Sequence, residues 1–157
     1  MSMDPLAALD IKLSGQDFTP VLLPETQVPL QITAAGIHTN KTSGKQSLFV
    51  TSCTTQPWPS IKAGEEVPAG KEFTSYYAIA LPDTVDMTNA QEVAEAKRKI
   101  GLRLQNLFMA VFKCTKEDCP DLSMDSVNHM VGRQIVGKII IERSTQFGDQ
   151  NRLDVIL

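Results

Sequence analysis

Four aromatic side chains and eight cations are the residues of this chain whose types fit a definable chemistry. Phe49, Trp58, Tyr76 and Phe147 offer flat faces; Lys41, Lys45, Lys62, Lys71, Arg133, Lys138, Arg143 and Arg152 offer positive charge. Together, aromatic platforms and a positive groove hold single-stranded nucleic acid with little sequence preference. Every base has a face to stack and every nucleotide a phosphate to neutralise. Stacking contributes roughly 1–3 kcal/mol per base. The cations would add charge and hydrogen bonds to phosphate without reading bases.

Each of these residues also has a purely structural role open to it. Trp58 lies in a Pro-flanked loop, Gln56-Pro-Trp-Pro-Ser60, near Lys62. Its indole either reaches outward or folds back over the end of the fold. Tyr76 points outward if Tyr77 points inward, and a one-residue slip would exchange them. Phe49 has a core position as its alternative. Phe147, beside Gly148 at a hairpin tip, can grip a strand or plug the fold. Lys and Arg are solvated surface residues by default.

Other chemistry finds less support. Cys114 and Cys119, followed by His129, offer three ligand types for zinc, but a second Cys-x-x-Cys pair is missing and His38 is distant in sequence. A Cys or Ser nucleophile with His38 or His129 has no recognisable local signature. Carboxylates are not paired on one element, and neither a Gly-rich phosphate loop nor a dinucleotide fingerprint occurs. The chain therefore reads as non-enzymatic, without metal or cofactor.

At 157 residues, 42% apolar and 21% charged, the chain has one domain's worth of ordinary globular composition. Its net charge of −3 opposes nucleic-acid binding mildly. The distribution softens this, because no acidic residue lies between Glu25 and Glu65 while Lys41, Lys45 and Lys62 do. An apolar run long enough for a membrane helix is absent from the sequence, and its first residues do not read as a signal peptide. Three cysteines with no secretion signal suggest reduced thiols in a cytoplasm.

The elements that must position these residues are legible in period. Residues 1–20 read as an extended arm, and 21–157 as a single domain. Val28 to Ile37 alternates as a strand, with Leu30, Ile32 and Ala34 on one face. Thr39–Lys45 is a polar turn, and Gln46 to Thr54 a second strand with Leu48, Val50 and Ser52 opposite Phe49, Thr51 and Cys53. Gln56 to Gly70 is broken too often by Pro and Gly for a regular element. Glu72 to Leu81 is a third strand, with Phe73, Tyr77, Ile79 and Leu81 inward. A helix from Asn89 to Lys113 carries the apolar stripe Val93, Ala96, Ile100, Leu104, Leu107 and Val111. Thr88 or Asn89 caps it, with Gln91 or Glu92 completing a capping box. The cluster Lys97, Arg98, Lys99 and Arg103 reads as its solvated face. A short helical turn at Met124–Met130 precedes strands at Arg133–Arg143 and Asn151–Leu157. The order β-β-β-α-β-β is that of an OB-fold-like, five-stranded Greek-key barrel, mainly β with one long helix. The helix stripe would plug that barrel.

Several short motifs point the same way. Met3-Asp-Pro-Leu-Ala-Ala-Leu-Asp10, Leu23-Pro24, Thr39-Asn-Lys-Thr-Ser-Gly-Lys45, Val131-Gly-Arg-Gln-Ile-Val-Gly-Lys138 and Gly148-Asp-Gln-Asn-Arg152 span most of the chain. With them the sequence resembles a family of short bacteriophage early proteins, some described as single-stranded-DNA-binding or recombination-associated. The resemblance implies an OB-like binder of single-stranded DNA. One departure is the C-terminal run Leu153-Asp-Val-Ile-Leu157, where many such binders carry a flexible acidic tail.

The expected function is non-catalytic, sequence-tolerant binding of single-stranded DNA in phage replication or recombination. Partners would be the DNA and phage or host replication and recombination proteins, with homo-oligomerisation left open and no membrane role. A protein–protein module on the same barrel, as a phage adaptor or host-factor inhibitor, is the alternative. A virion component is a third. A positive strip joining Tyr76 to Arg133 would favour DNA, and scattered charge the protein module.

Overall fold

The structure is a computed structural model that describes Pro5, residues 7–146 and residues 148–157. Five strands form one antiparallel sheet: β1 (Thr26–Thr39), β2 (Gln46–Thr54), β5 (Glu72–Ala78), β6 (Gln134–Glu142) and β7 (Gln150–Ile156), in the order β5-β2-β1-β6-β7. Two short strands, β3 (Trp58–Pro59) and β4 (Glu66–Val67), pair as a ribbon inside the connection that the Pro and Gly content marked as irregular. The long helix α1 is Ala90–Phe112, and the short helix α2 is Met124–Asn128. Among the described residues, no helix is long and apolar enough to cross a membrane.

β1 is the spine. Its first half pairs with β6 and its second half with β2. Pro29 sits inside this strand, opposite Val136. The β2 ladder begins only at Leu30, so the other flank of Pro29 has no strand to which an N–H could donate. A register shift between Ile32 and Ala34 changes which side chains face the core. Leu30 and Ile32 are buried as expected, but beyond the irregularity Ala35 and Ile37, not Ala34, pack against the core. One extra residue in a period-2 element exchanges the two faces.

The sheet is not closed into a barrel, which corrects the expectation of closure. β5 and β7 are its two edges, approaching within 8 Å at Cα without a ladder between them. Side chains of α1, Arg103, Asn106 and Leu107, line the hollow between those edges.

The inner face is filled by Val28, Leu30, Ile32, Leu48, Val50, Phe73, Ile135, Ile139, Leu153 and Ile156, with Leu107, Phe108 and Val111 of α1 laid over it. Only the C-terminal half of the helix therefore does the plugging. Val93, Ala96 and Ile100 stay half-buried at its other end, outside the core. Asn89 caps the helix, its Oδ1 accepting from the N–H groups of Gln91 (3.1 Å) and Glu92 (3.2 Å). The carboxylate of Glu92 accepts from the Asp86 N–H at 3.2 Å, three residues before the cap, so no box closes on Asn89 itself.

Two of the short motifs meet in space. The side chain of Asn151 accepts from the Leu23 N–H (2.7 Å) and donates to the Leu23 carbonyl (2.9 Å). This amide clamp ties the segment entering the domain to the start of β7. Before it, residues 10–20 are exposed throughout, as an arm should be.

Candidate nucleic-acid interface

Alternation puts Phe49 and Tyr76 on the outer face of the sheet, opposite Leu48 and Tyr77, and the β2–β5 register makes them direct cross-strand partners. Tyr76 is 56% exposed. Phe49 is half-buried because its ring lies across β1: a Cβ added to Gly36 would stand 3.0 Å from the ring edge. Gly36 is Phe49's own cross-strand neighbour, so the absent side chain leaves a seat for the ring. Two residues on, His38 meets the Tyr76 ring edge-on, with centroids 5.5 Å apart. Phe49, Tyr76 and His38 thus form one aromatic patch spanning β1, β2 and β5. The Thr51 and Thr74 hydroxyls, 2.9 Å apart, continue the same face.

The turn between β1 and β2 borders this patch. Asn40 organises it, its Oδ1 accepting from the Thr42 and Ser43 N–H groups, and Gly44 takes the positive φ of 72° that the turn needs. His38, Asn40, Ser43, Lys45, Ser47 and Tyr76 line a hollow of about 460 Å³ here. Lys41 is exposed on the turn. Lys45 is half-buried and committed elsewhere, 2.9 Å from Asp83 and donating to the Leu81 carbonyl.

The other expected residues lie apart from the patch. Trp58 is half-buried on β3 and packs against the core, so of its two readings the structure has the indole folded back. Lys62 is half-buried in the turn between the two strands of that ribbon, and Lys71 is exposed before β5. Arg133 stacks on Phe112 at the helix C-terminus, with 4.7 Å from its guanidinium carbon to the ring centroid. Lys138 is exposed on the outer face of β6, between Gln27 and Val155. Arg143 pairs with Asp149 at 2.7 Å and Arg152 with Glu142 at 3.5 Å. Phe147 lies outside the described residues. Among the described residues, no single strip of cations joins Tyr76 to Arg133; the charge is scattered and partly neutralised.

His38 is the member of the patch that sequence reasoning missed. Its residue type suggests a metal ligand or a catalytic base, yet Gly36 and His38 alternate on the strand directly before the turn. That spacing was the available signal. Tyr77, the inward neighbour of Tyr76, packs at the core margin under Arg103, and burial pushes its phenol up from the ordinary tyrosine value. It therefore stays neutral and serves packing.

The zinc arrangement does not assemble. Among the described residues, no three of His, Cys, Asp and Glu come together as a metal site. The Cys119 thiol is pushed up by burial and by the neighbouring Cys114, whereas His129 turns to Asp125, its Nδ1–H donating to the Asp125 carbonyl at 2.7 Å. No family model matches the chain, and no curated protein matches it either.

Proposed function

We propose that this protein binds single-stranded DNA without catalysis and with little sequence preference, through the outer face of β1, β2 and β5. The carrying observation is the aromatic patch of His38, Phe49 and Tyr76 beside the polar Asn40–Lys45 turn. Aromatic side chains on an open sheet face can stack successive bases of any identity.

We read the sheet as an OB-like Greek-key barrel left open on one side. Counted without the short ribbon, its strands run third-second-first-fourth-fifth across the sheet. Antiparallel pairing at every step leaves β5 and β7 pointing the same way, and they face each other across the opening. OB-folds are partly open barrels that bind on the face of their second and third strands and with the loops after the first and fourth. Here those are β2 and β5, the Asn40–Lys45 turn, and the β6–β7 connection that carries Arg143 and Phe147. Phage replication or recombination is the proposed setting, supported by the resemblance in the short motifs.

Because Lys45, Arg143 and Arg152 are paired with acids, stacking should outweigh charge in this interface. Titration with an oligo-dT of about 30 nucleotides, long against OB site sizes of ~4–16, should then show binding with a shallow salt slope. No binding at low salt would end the proposal. The paired cations also favour the second reading, a protein-interaction module. A stable protein partner together with no DNA binding by the isolated chain would select it.

A further inference from the structure

The first turns of α1 and the N-terminal arm each carry apolar side chains that lie outside the core. Between the first turns of α1 and the Ala78–Val85 segment runs a groove of about 1010 Å³, floored by Pro82, Val85, Ala96 and Ile100. Its acids are already engaged: Glu95 holds Arg98 at 2.8 Å, and Glu92 accepts the Asp86 N–H. Lys99 and Arg103, also in the lining, form no ion pair among the described residues.

The arm has the complementary character. Ile11, Leu13 and Phe18 are 57%, 74% and 65% exposed. Asp10-Ile-Lys-Leu-Ser14 alternates polar and apolar, as does a strand with one side to bury. Asp10 and Asp17 outnumber Lys12, so the segment is acidic where the groove presents Arg98, Lys99 and Arg103 against Glu92 and Glu95. Every hydrogen bond described for residues 7–19 stays within the arm. Exposed side chains of this size, clustered and unpaired, normally mark an interaction surface.

We propose that the groove receives the arm of a second copy of this chain. The arm is rooted at Leu22 and Leu23, held by Ser60 and by Asn151 at the start of β7. The groove begins at Ala78, where β5 ends. β5 and β7 run in the same direction, so root and groove lie at opposite ends of the sheet. A reciprocal exchange closes as a two-fold dimer, burying both arms and both grooves with one set of contacts used twice. The groove shares Ala78 with the hollow beside the aromatic patch, so the dimer and DNA binding are read by separate measurements, sedimentation for one and oligo-dT titration for the other.

Sedimentation equilibrium of the full chain tests this. A reversible dimer is expected. Removal of residues 1–20 should give a monomer whose thermal midpoint no longer varies with protein concentration, since only the dimer gains stability by mass action. The arm variant L13D/F18D and the groove variant I100E should each weaken the dimer by roughly tenfold or more. Mixed together, the two should recover a weaker heterodimer, because one intact arm still meets one intact groove. A dimer that survives loss of residues 1–20 would overturn the proposal. So would a wild-type monomer, including one whose arm covers its own groove, seen as helix methyl resonances that shift when the arm is removed.

Discussion

The outer face of this sheet has two halves, built by the same alternation and unlike in chemistry. Over β1, β2 and β5 it carries His38, Phe49 and Tyr76, with Phe49 seated on Gly36. Over β6 and β7 it carries Val136, Lys138, Arg152 and Val155, with no ring among the described residues. Burial is similar, and the exposed valines, at 39% and 43%, are ordinary for a soluble surface. The difference is therefore not one of exposure. One half has flat polarizable faces beside a polar turn; the other has branched aliphatics and cations, of which Arg152 is held by Glu142. A single-stranded ligand should prefer the first half even though the second carries more positive charge.

Replacing Tyr76 by Ala gives the largest effect expected on binding, a loss of about 1–3 kcal/mol in oligo-dT affinity with little change in stability. Unchanged affinity in a titration would break the comparison at its centre. Asn151→Ala should act in the opposite sense. It removes two hydrogen bonds to Leu23 and costs about 1–3 kcal/mol of folding stability by denaturant titration. Affinity measured on the folded fraction should be unaffected, and a parallel loss would mean that the β7 end takes part in binding. Gly36→Ala places a methyl 3.0 Å from the Phe49 ring and forces it off its seat. A loss of roughly 0.5–1.5 kcal/mol in affinity is expected, the scale of a displaced rotamer. Lys138→Ala, on the second half, should change affinity by less than about 0.5 kcal/mol and barely alter the salt slope. If it weakens binding as much as Tyr76→Ala, the two halves are equivalent and the aromatic patch is not the site.

Much of the fold was legible because its elements are strongly periodic. Leu48, Val50 and Ser52 alternate against Phe49, Thr51 and Cys53, and the two sets occupy opposite faces as read. Tyr76 and Tyr77 fell on the expected sides for the same reason. The helix carried an acceptable cap in Asn89 and an apolar stripe, so its span is correct to a residue at each end. The β3–β4 ribbon was not legible, since two-residue strands leave no period to detect. The irregularity at Thr33 was not legible either: an inserted residue has no composition, only a consequence for Ala34 and Ala35. The outward placement of Phe49 and Tyr76 was legible from alternation alone. The ion pairs of the cations were not legible, because a Lys or Arg does not announce its partner, and Asp83, Asp149 and Glu142 are brought to Lys45, Arg143 and Arg152 only by the fold.

By itself the sequence determined which residues could be buried and which face of each strand they share, because side-chain direction follows from backbone period. It also determined where the helix begins, since an Asn followed by an apolar stripe supplies both a cap and a face to bury. Tertiary structure alone decided that Phe49, Tyr76 and His38 form one patch, that Trp58 folds inward, and that β5 and β7 face each other without pairing. Those outcomes depend on cross-strand register and on how far a sheet curls before its edges meet. Register and curl are fixed by packing between residues distant in the chain, and no local pattern encodes them.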